Sequence, residues 1–226
     1  MAVFKDFYRN NQNLLNRRLL IFCLVVIPFL GRQSLYGVFV QYRVGQERVT
    51  DTQLDAPFER YILTHPDVYD RRFNDVNKII HIALKVTADA LSLKDDPSVK
   101  TAPLSTWRSG ETNSEGFAAF FNTTCTYLIH RFRMDDQYQC HQFIAERMRG
   151  GMNLADAIQS PYDGKSPFNK TRDIVGIVDV KTRQARYVDP TIYEQAGIVD
   201  IQTTDGAYAP QTRSVERLKR RSIHRP

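Results

Sequence analysis

The apolar residues of this sequence change their spacing once along the chain, and this change limits the folds that the chain can adopt. In the first two thirds they recur at helical spacing, as in the segment 72–92, where they share one face. After residue 170 they alternate with polar residues, over 173–180 and 184–190, on either side of a turn at 181–183. Helices followed by an antiparallel hairpin predict an α+β domain.

The pattern also predicts the individual elements. A short helix ends before Pro66, and an amphipathic helix covers about 72–92. A second, strongly apolar helix begins after Asn113, whose side chain is a candidate N-cap. A third helix is expected over about 137–150, and a third strand over 196–203.

The composition is that of a folded protein. Hydrophobic residues make up 42% and aromatic residues 11% of the chain, which excludes a disordered tail. Three cysteines in 226 residues exclude a disulfide-dense scaffold. The net charge of +6 is concentrated at the two ends of the chain, and the body between them is nearly neutral. Since nucleic-acid-binding domains carry a basic face on the folded body, no nucleic-acid partner is predicted.

An uncharged apolar run over residues 19–31 directly follows Arg17 and Arg18. No small-residue cleavage site follows the run, so we expect an uncleaved single transmembrane helix over 19–40 that contacts the lipid bilayer. The basic residues before it place the amino terminus in the cytoplasm. The expected location is the bacterial inner membrane, with the main domain in the periplasm.

The expected organisation has five parts along the chain. These are a basic cytoplasmic segment (1–18), the transmembrane anchor (19–40), a linker with a short helix (41–70), the main α+β domain (71–205) and a basic tail (206–226).

Two short segments carry a family resemblance. Residues 113–118, with the sequence NSEGFA, open the apolar helix, and residues 188–191, VDPT, end the hairpin. Together they resemble the transglutaminase-like fold and, within it, the bacterial transglutaminase-like cysteine proteinases, whose central helix begins with a G-x-C-x-x-[FY]-A pattern. The resemblance spans roughly residues 70–200. It implies a papain-like domain in which helices pack on an antiparallel sheet.

The resemblance also implies where the catalytic residues of such an enzyme would lie. In the family a cysteine begins the helix, a histidine begins one strand and an aspartate ends the next. This sequence has Ser114, Asp173 and Asp189 at these positions, so only the aspartate is retained. A serine hydroxyl needs a base to take its proton, and an aspartate with an ordinary pKa of about 4 is a weak one. The resemblance therefore implies a degenerate site, although an Asp-Pro pair also commonly ends a strand and begins a turn or helix.

The other candidate residues do not restore this chemistry. Cys125 lies about three turns into the helix, beyond the reach of the helix dipole, and Cys140 and His141 would point in different directions. Cys125 and Cys140 are candidates for a disulfide bridge between two helices. Trp107 is expected either to cover the pocket or to anchor its loop by packing. No metal or cofactor is predicted.

Three functions are compatible with these features. The first is a non-catalytic transglutaminase-like domain that serves as a structural or interaction subunit of a membrane protein complex. The second is a periplasmic hydrolase or amide-bond-processing enzyme that uses Ser114 or a cysteine. The third is a module that binds a peptide or glycan in the degenerate cleft without cutting it.

Overall fold

The computed structural model describes residues 36–37, 40–68, 75–94, 96–149 and 171–204 of the chain. In chain order its elements are β1 (Val40–Arg48), α1 (Ala56–Thr64), α2 (Val76–Ala90), β2 (Ser92–Leu93), α3 (Pro103–Ser109), β3 (Glu111–Thr112), α4 (Ser114–Arg131), β4 (Tyr138–Arg149), β5 (Thr171–Asp179), β6 (Ala185–Val188), α5 (Pro190–Ala196) and β7 (Gln202–Thr203). The predicted α+β class is confirmed.

Five of the strands form one mixed sheet in the order β6-β5-β4-β1-β7. β4 lies in the centre and is antiparallel to both β5 and β1. At the edge, β7 runs parallel to β1, and the two-residue strands β2 and β3 also pair in parallel. The expected purely antiparallel sheet is therefore wrong. The third strand does not continue the hairpin, because α5 and residues 197–201 carry the chain to the opposite edge of the sheet.

The sheet curls until its two edges approach each other. The backbone N–H of Ile201, just before β7, donates to the carbonyl of Tyr187 on β6 at 3.1 Å. The hydroxyl of Tyr42 on β1 donates to Asp189, directly after β6, at 3.3 Å. The curled sheet encloses a small apolar cluster, which we call the second core: Val40, Tyr42, Phe143, Ala145, Ile174, Val178, Ala185, Tyr187 and Ile201.

The helices cover the outer face of β4 and β5. α4 is the central helix and packs against α2, α3, α5 and both strands. Its residues are buried on several faces, as its apolar sequence predicted. The main core between helices and sheet, called the helix-side core, includes Phe58, Ile62, Ile80, Leu84, Phe117, Phe120, Phe121, Val175 and Ile177.

Local signals set several boundaries as predicted. Asn113 caps α4, because its side chain accepts a hydrogen bond from the backbone N–H of Gly116. The helix expected over 72–92 is α2, which begins after the N-cap Asp75. The hairpin is formed by β5 and β6 around the turn that follows Asp179.

The helix expected over 137–150 is wrong, since these residues form β4. Residues such as Glu146 and Met148 favour a helix locally, but the segment pairs with β5 on one side and β1 on the other. Tertiary pairing of a central strand thus outweighs local propensity. β1 itself lies in the segment expected to be a linker, and the third strand is shorter than expected, because only Gln202 and Thr203 are paired.

The transmembrane helix expected over 19–40 requires a correction. Among the residues that the structure describes, no helix combines the length and apolar character needed to cross a membrane. The last residue of the expected span, Val40, begins β1 and belongs to the second core. Residues 19–35 lie outside the described residues, as do the basic segment 1–18 and the tail after residue 204.

Candidate functional site

The site implied by the family resemblance begins at the first turn of α4. Asn113 uses its side-chain oxygen to cap the helix, accepting from the N–H of Gly116 at 3.2 Å. Ser114 is the next residue and is half-buried. Within the described part of the chain, its hydroxyl makes no hydrogen bond, so no base is in place to take its proton.

Close packing fixes this first turn against the preceding strand. A Cβ atom added to Gly116 would lie 1.8 Å from the hydroxyl oxygen of Thr112. The same Thr112 hydroxyl donates to the carbonyl of Lys100 at 3.0 Å, which ties the loop before α3 to β3. A glycine is therefore required at this position so that α4 can begin directly beside β3.

Asp173, at the position expected for the histidine, faces the helices from β5. Side chains along β5 alternate between the two faces of the sheet. Asp173 therefore lies on the same face as Val175, which belongs to the helix-side core, whereas Ile174 belongs to the second core. The carboxylate of Asp173 accepts from Arg48 Nε at 2.7 Å and from Arg48 Nη2 at 3.4 Å. It also accepts from Gln142 Nε2 at 3.0 Å.

These contacts belong to a larger set of polar contacts, the Arg48 network, which consists of Arg48, Thr50, Glu115, Gln142 and Asp173. The guanidinium of Arg48 reaches Glu115 Oε2 at 3.3 Å as well as Asp173. Gln142 Nε2 also donates to the carbonyl of Glu115 at 3.4 Å, and its Oε1 accepts from the hydroxyl of Thr50 at 2.6 Å. The network joins β1, α4, β4 and β5 at one place.

The Arg48 network has little capacity for acid–base catalysis. Arginine stays protonated in proteins and offers donors only, so Arg48 cannot take a proton from Ser114. Both carboxylate oxygens of Asp173 already accept from Arg48. A bidentate pair of this kind fixes the position of the carboxyl group and uses both of its oxygens as hydrogen-bond acceptors. The arrangement is suited to joining elements rather than to activating a nucleophile.

Asp189 does not meet Ser114 or Asp173. Val188 belongs to the helix-side core, and Asp189 follows it with its side chain on the opposite face of the sheet, where it contacts Tyr42 of the second core. Its carboxylate accepts from the N–H groups of Thr191 and Ile192 at 3.0 and 3.2 Å, and so caps α5. The alternative interpretation of the Asp-Pro pair, a strand end followed by a helix start, describes what Asp189 does.

Asp189 is fully buried beside a second charged residue. Arg172 Nη1 lies 3.5 Å from its carboxylate, and Tyr36 shares a 2.7 Å hydrogen bond with the Tyr42 hydroxyl. Burial raises the pKa of Asp189, and Arg172 and the two capping N–H groups offset only part of that rise. Burial next to Asp189 also raises the pKa of Tyr42. These residues hold the edges of the curled sheet together.

The remaining candidates lie away from Ser114. His141 bonds to Glu47 at 2.7 Å, but it shares a face of β4 with Phe143, a residue of the second core. Trp107 stacks on Phe58 with ring centroids 5.3 Å apart, so it anchors α3 by packing. Cys125 and Cys140 are both free thiols, Cys125 on α4 and Cys140 on β4 rather than on a helix.

An open groove of about 760 Å³ lies beside the loop that precedes α3. Charged residues of both signs line it, among them Asp51, Lys94, Lys100, Arg108 and Glu111. Neither Ser114 nor Trp107 is part of its lining. Over the described ranges, no group of His, Cys, Asp and Glu side chains is arranged to hold a metal ion.

The sequence did not lead us to Arg48 and Gln142, the two residues whose side chains donate hydrogen bonds to Asp173. Arg48 lies outside the span of the family resemblance, and Gln142 lies in the segment predicted as a helix. A signal for β1 was present, because Val40, Tyr42 and Val44 alternate with polar residues. Nothing in the sequence indicated the pairing of β1 with β4.

Comparisons with protein-family models, with curated proteins and with solved structures found no match to this chain. The resemblance to transglutaminase-like proteins therefore stays a prediction from the two short segments.

Proposed function

We propose that this domain acts without catalysis, as a structural or interaction subunit of a larger protein complex. The observation that carries the proposal is the pairing of Asp173 with Arg48 and Gln142, at the position where the resemblance requires a histidine. Ser114 has no base in contact among the described residues, and Asp189 lies on the other face of the sheet. That the complex lies at the bacterial inner membrane remains a prediction from sequence.

A probe that reacts with activated serines tests the absence of catalysis. The folded protein is incubated with a fluorophosphonate, and labelling of wild type is compared with labelling of Ser114→Ala. We expect background labelling of equal intensity in both, because the Ser114 hydroxyl lacks a partner that would activate it. Labelling of wild type that disappears in Ser114→Ala would show a working nucleophile.

The interaction role is tested separately by gentle purification from the native source and mass spectrometry of the co-eluting proteins. We expect the chain to elute with defined partners at constant stoichiometry. Elution of the chain alone, as a monodisperse species, contradicts the subunit role even if the serine probe remains unreactive.

The groove beside α3 favours a second candidate, a module that binds a peptide or glycan. The lining residues carry both charges, which suits a polar segment rather than an apolar or strongly charged one. Titration of peptide and glycan pools, followed by NMR, tests it. Shifts confined to residues 94–111 support this candidate, and an unperturbed spectrum argues against it.

A further inference from the structure

The open groove beside α3 has a wall whose backbone is held in place by the surrounding elements. The carbonyl of Lys100, a lining residue, accepts hydrogen bonds from the hydroxyls of Thr106 at 3.1 Å and Thr112 at 3.0 Å. The adjacent Thr101 donates to Glu115 Oε1 at 3.1 Å, which ties the same wall to the first turn of α4. A groove that is fixed in this way loses little conformational entropy when a ligand binds.

Three basic and three acidic side chains line the groove, so that its lining is formally neutral. Lys94 and Glu111 pair with each other at 3.1 Å. Arg108 pairs at 2.7 Å with Asp55, and one oxygen of Asp96 accepts two hydrogen bonds from within its own loop. These four lining residues are therefore already engaged by the protein itself.

The other two charged residues of the lining, Lys100 and Asp51, are exposed and make no ion pair within the described part of the chain. Asp51 accepts from the backbone N–H of Gln53 at 3.0 Å. It follows Thr50, whose hydroxyl donates to Gln142 at 2.6 Å, so that the backbone next to Asp51 is tied to β4. The groove thus offers one positive and one negative group to a ligand.

We propose that the groove binds an extended peptide segment that carries both charges, with an acidic side chain at Lys100 and a basic side chain at Asp51. This inference rests on the second proposed function, the binding module, and names a peptide rather than a glycan as its ligand. The half-buried Val99 and Leu104 also line the groove and would contact apolar parts of the segment. The volume of about 760 Å³ lies within the range of protein ligand sites.

The composition of the lining favours a peptide over the other classes of ligand. Among the described residues that line the groove, none is aromatic. Sugar rings and nucleobases usually stack on aromatic side chains, and the phosphates of a nucleic acid require a basic surface rather than a neutral one. A peptide that carries both charges matches Lys100 and Asp51 and needs no aromatic side chain to bind.

The experiment measures the fluorescence anisotropy of labelled hexapeptide pools as the full chain is added. The peptides have blocked ends and contain glycine, serine and valine. One pool adds both lysine and glutamate, a second lysine alone, a third glutamate alone, and a fourth no charged residue. A neutral hexasaccharide with the same label is the glycan probe. We expect the pool with both charges to bind most tightly, because only its members can contact Lys100 and Asp51 together.

Charge reversal tests the two groups separately. With Lys100→Glu the preference should change to the basic pool, and with Asp51→Lys it should change to the acidic pool. Lys100→Ala should weaken binding of the pool with both charges about two- to fivefold, as expected for the loss of one exposed ion pair. Lys78→Glu is the matched control, because Lys78 is exposed on α2 outside the groove, and it should leave all affinities unchanged.

The outcomes that contradict the inference differ from those that contradict the proposed function. Binding of the hexasaccharide but of no peptide pool overturns the inference and leaves the binding module standing. If no probe binds, the inference and the binding module both fail, whereas the subunit role is judged by co-purification. Tighter binding of a pool with a single charge, or peptide binding that neither reversal variant changes, also overturns the inference.

Discussion

Gly116 is a residue whose missing side chain allows α4 to start beside β3. A Cβ there would overlap the Thr112 hydroxyl at 1.8 Å. We expect Gly116→Ala to lower the free energy of unfolding by about 1–3 kcal/mol through overpacking. Chemical denaturation measures the change.

Two variants control for the position of Gly116. Ser114→Ala lies in the same helical turn and removes no hydrogen bond among the described residues, so we expect a change within about 0.5 kcal/mol. Adding Thr112→Ala should recover part of the loss caused by Gly116→Ala, because it removes the overlapping oxygen. Gly116→Ala with wild-type stability would contradict the overlap.

Asp189 should make the stability of the fold depend on pH. Its pKa is raised in the folded state, chiefly by burial, so folding favours the protonated acid. The stabilisation is fully present below the unfolded pKa of about 4 and is lost as the pH rises through the higher folded value. Asp189→Asn keeps an oxygen for capping α5 but cannot ionise. We therefore expect the stability of wild type to fall relative to Asp189→Asn as the pH increases above about 4.

Denaturation of both proteins over a pH series measures this difference. The change of the stability difference with pH is the informative quantity, because Asp189→Asn also replaces the carboxyl group that lies 3.5 Å from Arg172 and so alters the absolute stability. If the stability of wild type minus that of Asp189→Asn stays constant or rises with pH, the raised pKa of Asp189 does not affect folding.

At the scale of elements, the Arg48 network joins four secondary-structure elements through the guanidinium of Arg48 and the side-chain amide of Gln142. Arg48 is 34% exposed, but its partner Asp173 is buried and would keep an uncompensated charge without it. We expect Arg48→Met to lower the free energy of unfolding by about 1–3 kcal/mol, a value reduced for the partial exposure of Arg48.

Arg43 provides a matched control on the same strand. It pairs with Glu146 at 3.9 Å, and both side chains are more exposed than those of the Arg48 pair. We expect Arg43→Met to change stability by less than about 1 kcal/mol. Combining Arg48→Met with Asp173→Asn should recover part of the loss, because the buried charge is gone. Equal effects of the two arginine substitutions would contradict a special role for the network.

Elements with local signals could be predicted from the sequence, and elements set by distant pairing could not. Asn113 and the turn at 181–183 mark their boundaries through neighbouring residues alone. The segment of β4 contains helix-favouring residues, and its strand conformation comes from pairing with β1, about a hundred residues before it, and with β5, about thirty residues after it. In the candidate site, the resemblance pointed to Asp173, but it gave no indication of Arg48, which lies far from the motif in sequence and contacts Asp173 in the structure.

At the scale of the whole molecule, the two cores lie on opposite faces of one sheet and should unfold together. Phe143 is fully buried in the second core, whereas Trp107 packs on Phe58 at the edge of the helix-side core. We expect Phe143→Ala to cost about 3–5 kcal/mol of unfolding free energy. Denaturation followed by Trp107 fluorescence and by far-ultraviolet circular dichroism should show the same lowered midpoint. A fluorescence midpoint that stays at the wild-type value would mean that the cores unfold independently.

The curl of the sheet restricts how another protein can attach to it. Edge strands commonly bind foreign strands through their unpaired backbone groups. Here Ile201 occupies the outer side of β6 at Tyr187, and Gln202 and Thr203 occupy the outer side of β1. An incoming strand would first have to break these native bonds. Contacts made by side chains on the helices and loops therefore need fewer native bonds to be broken than the addition of a strand at Tyr187 or at the outer side of β1.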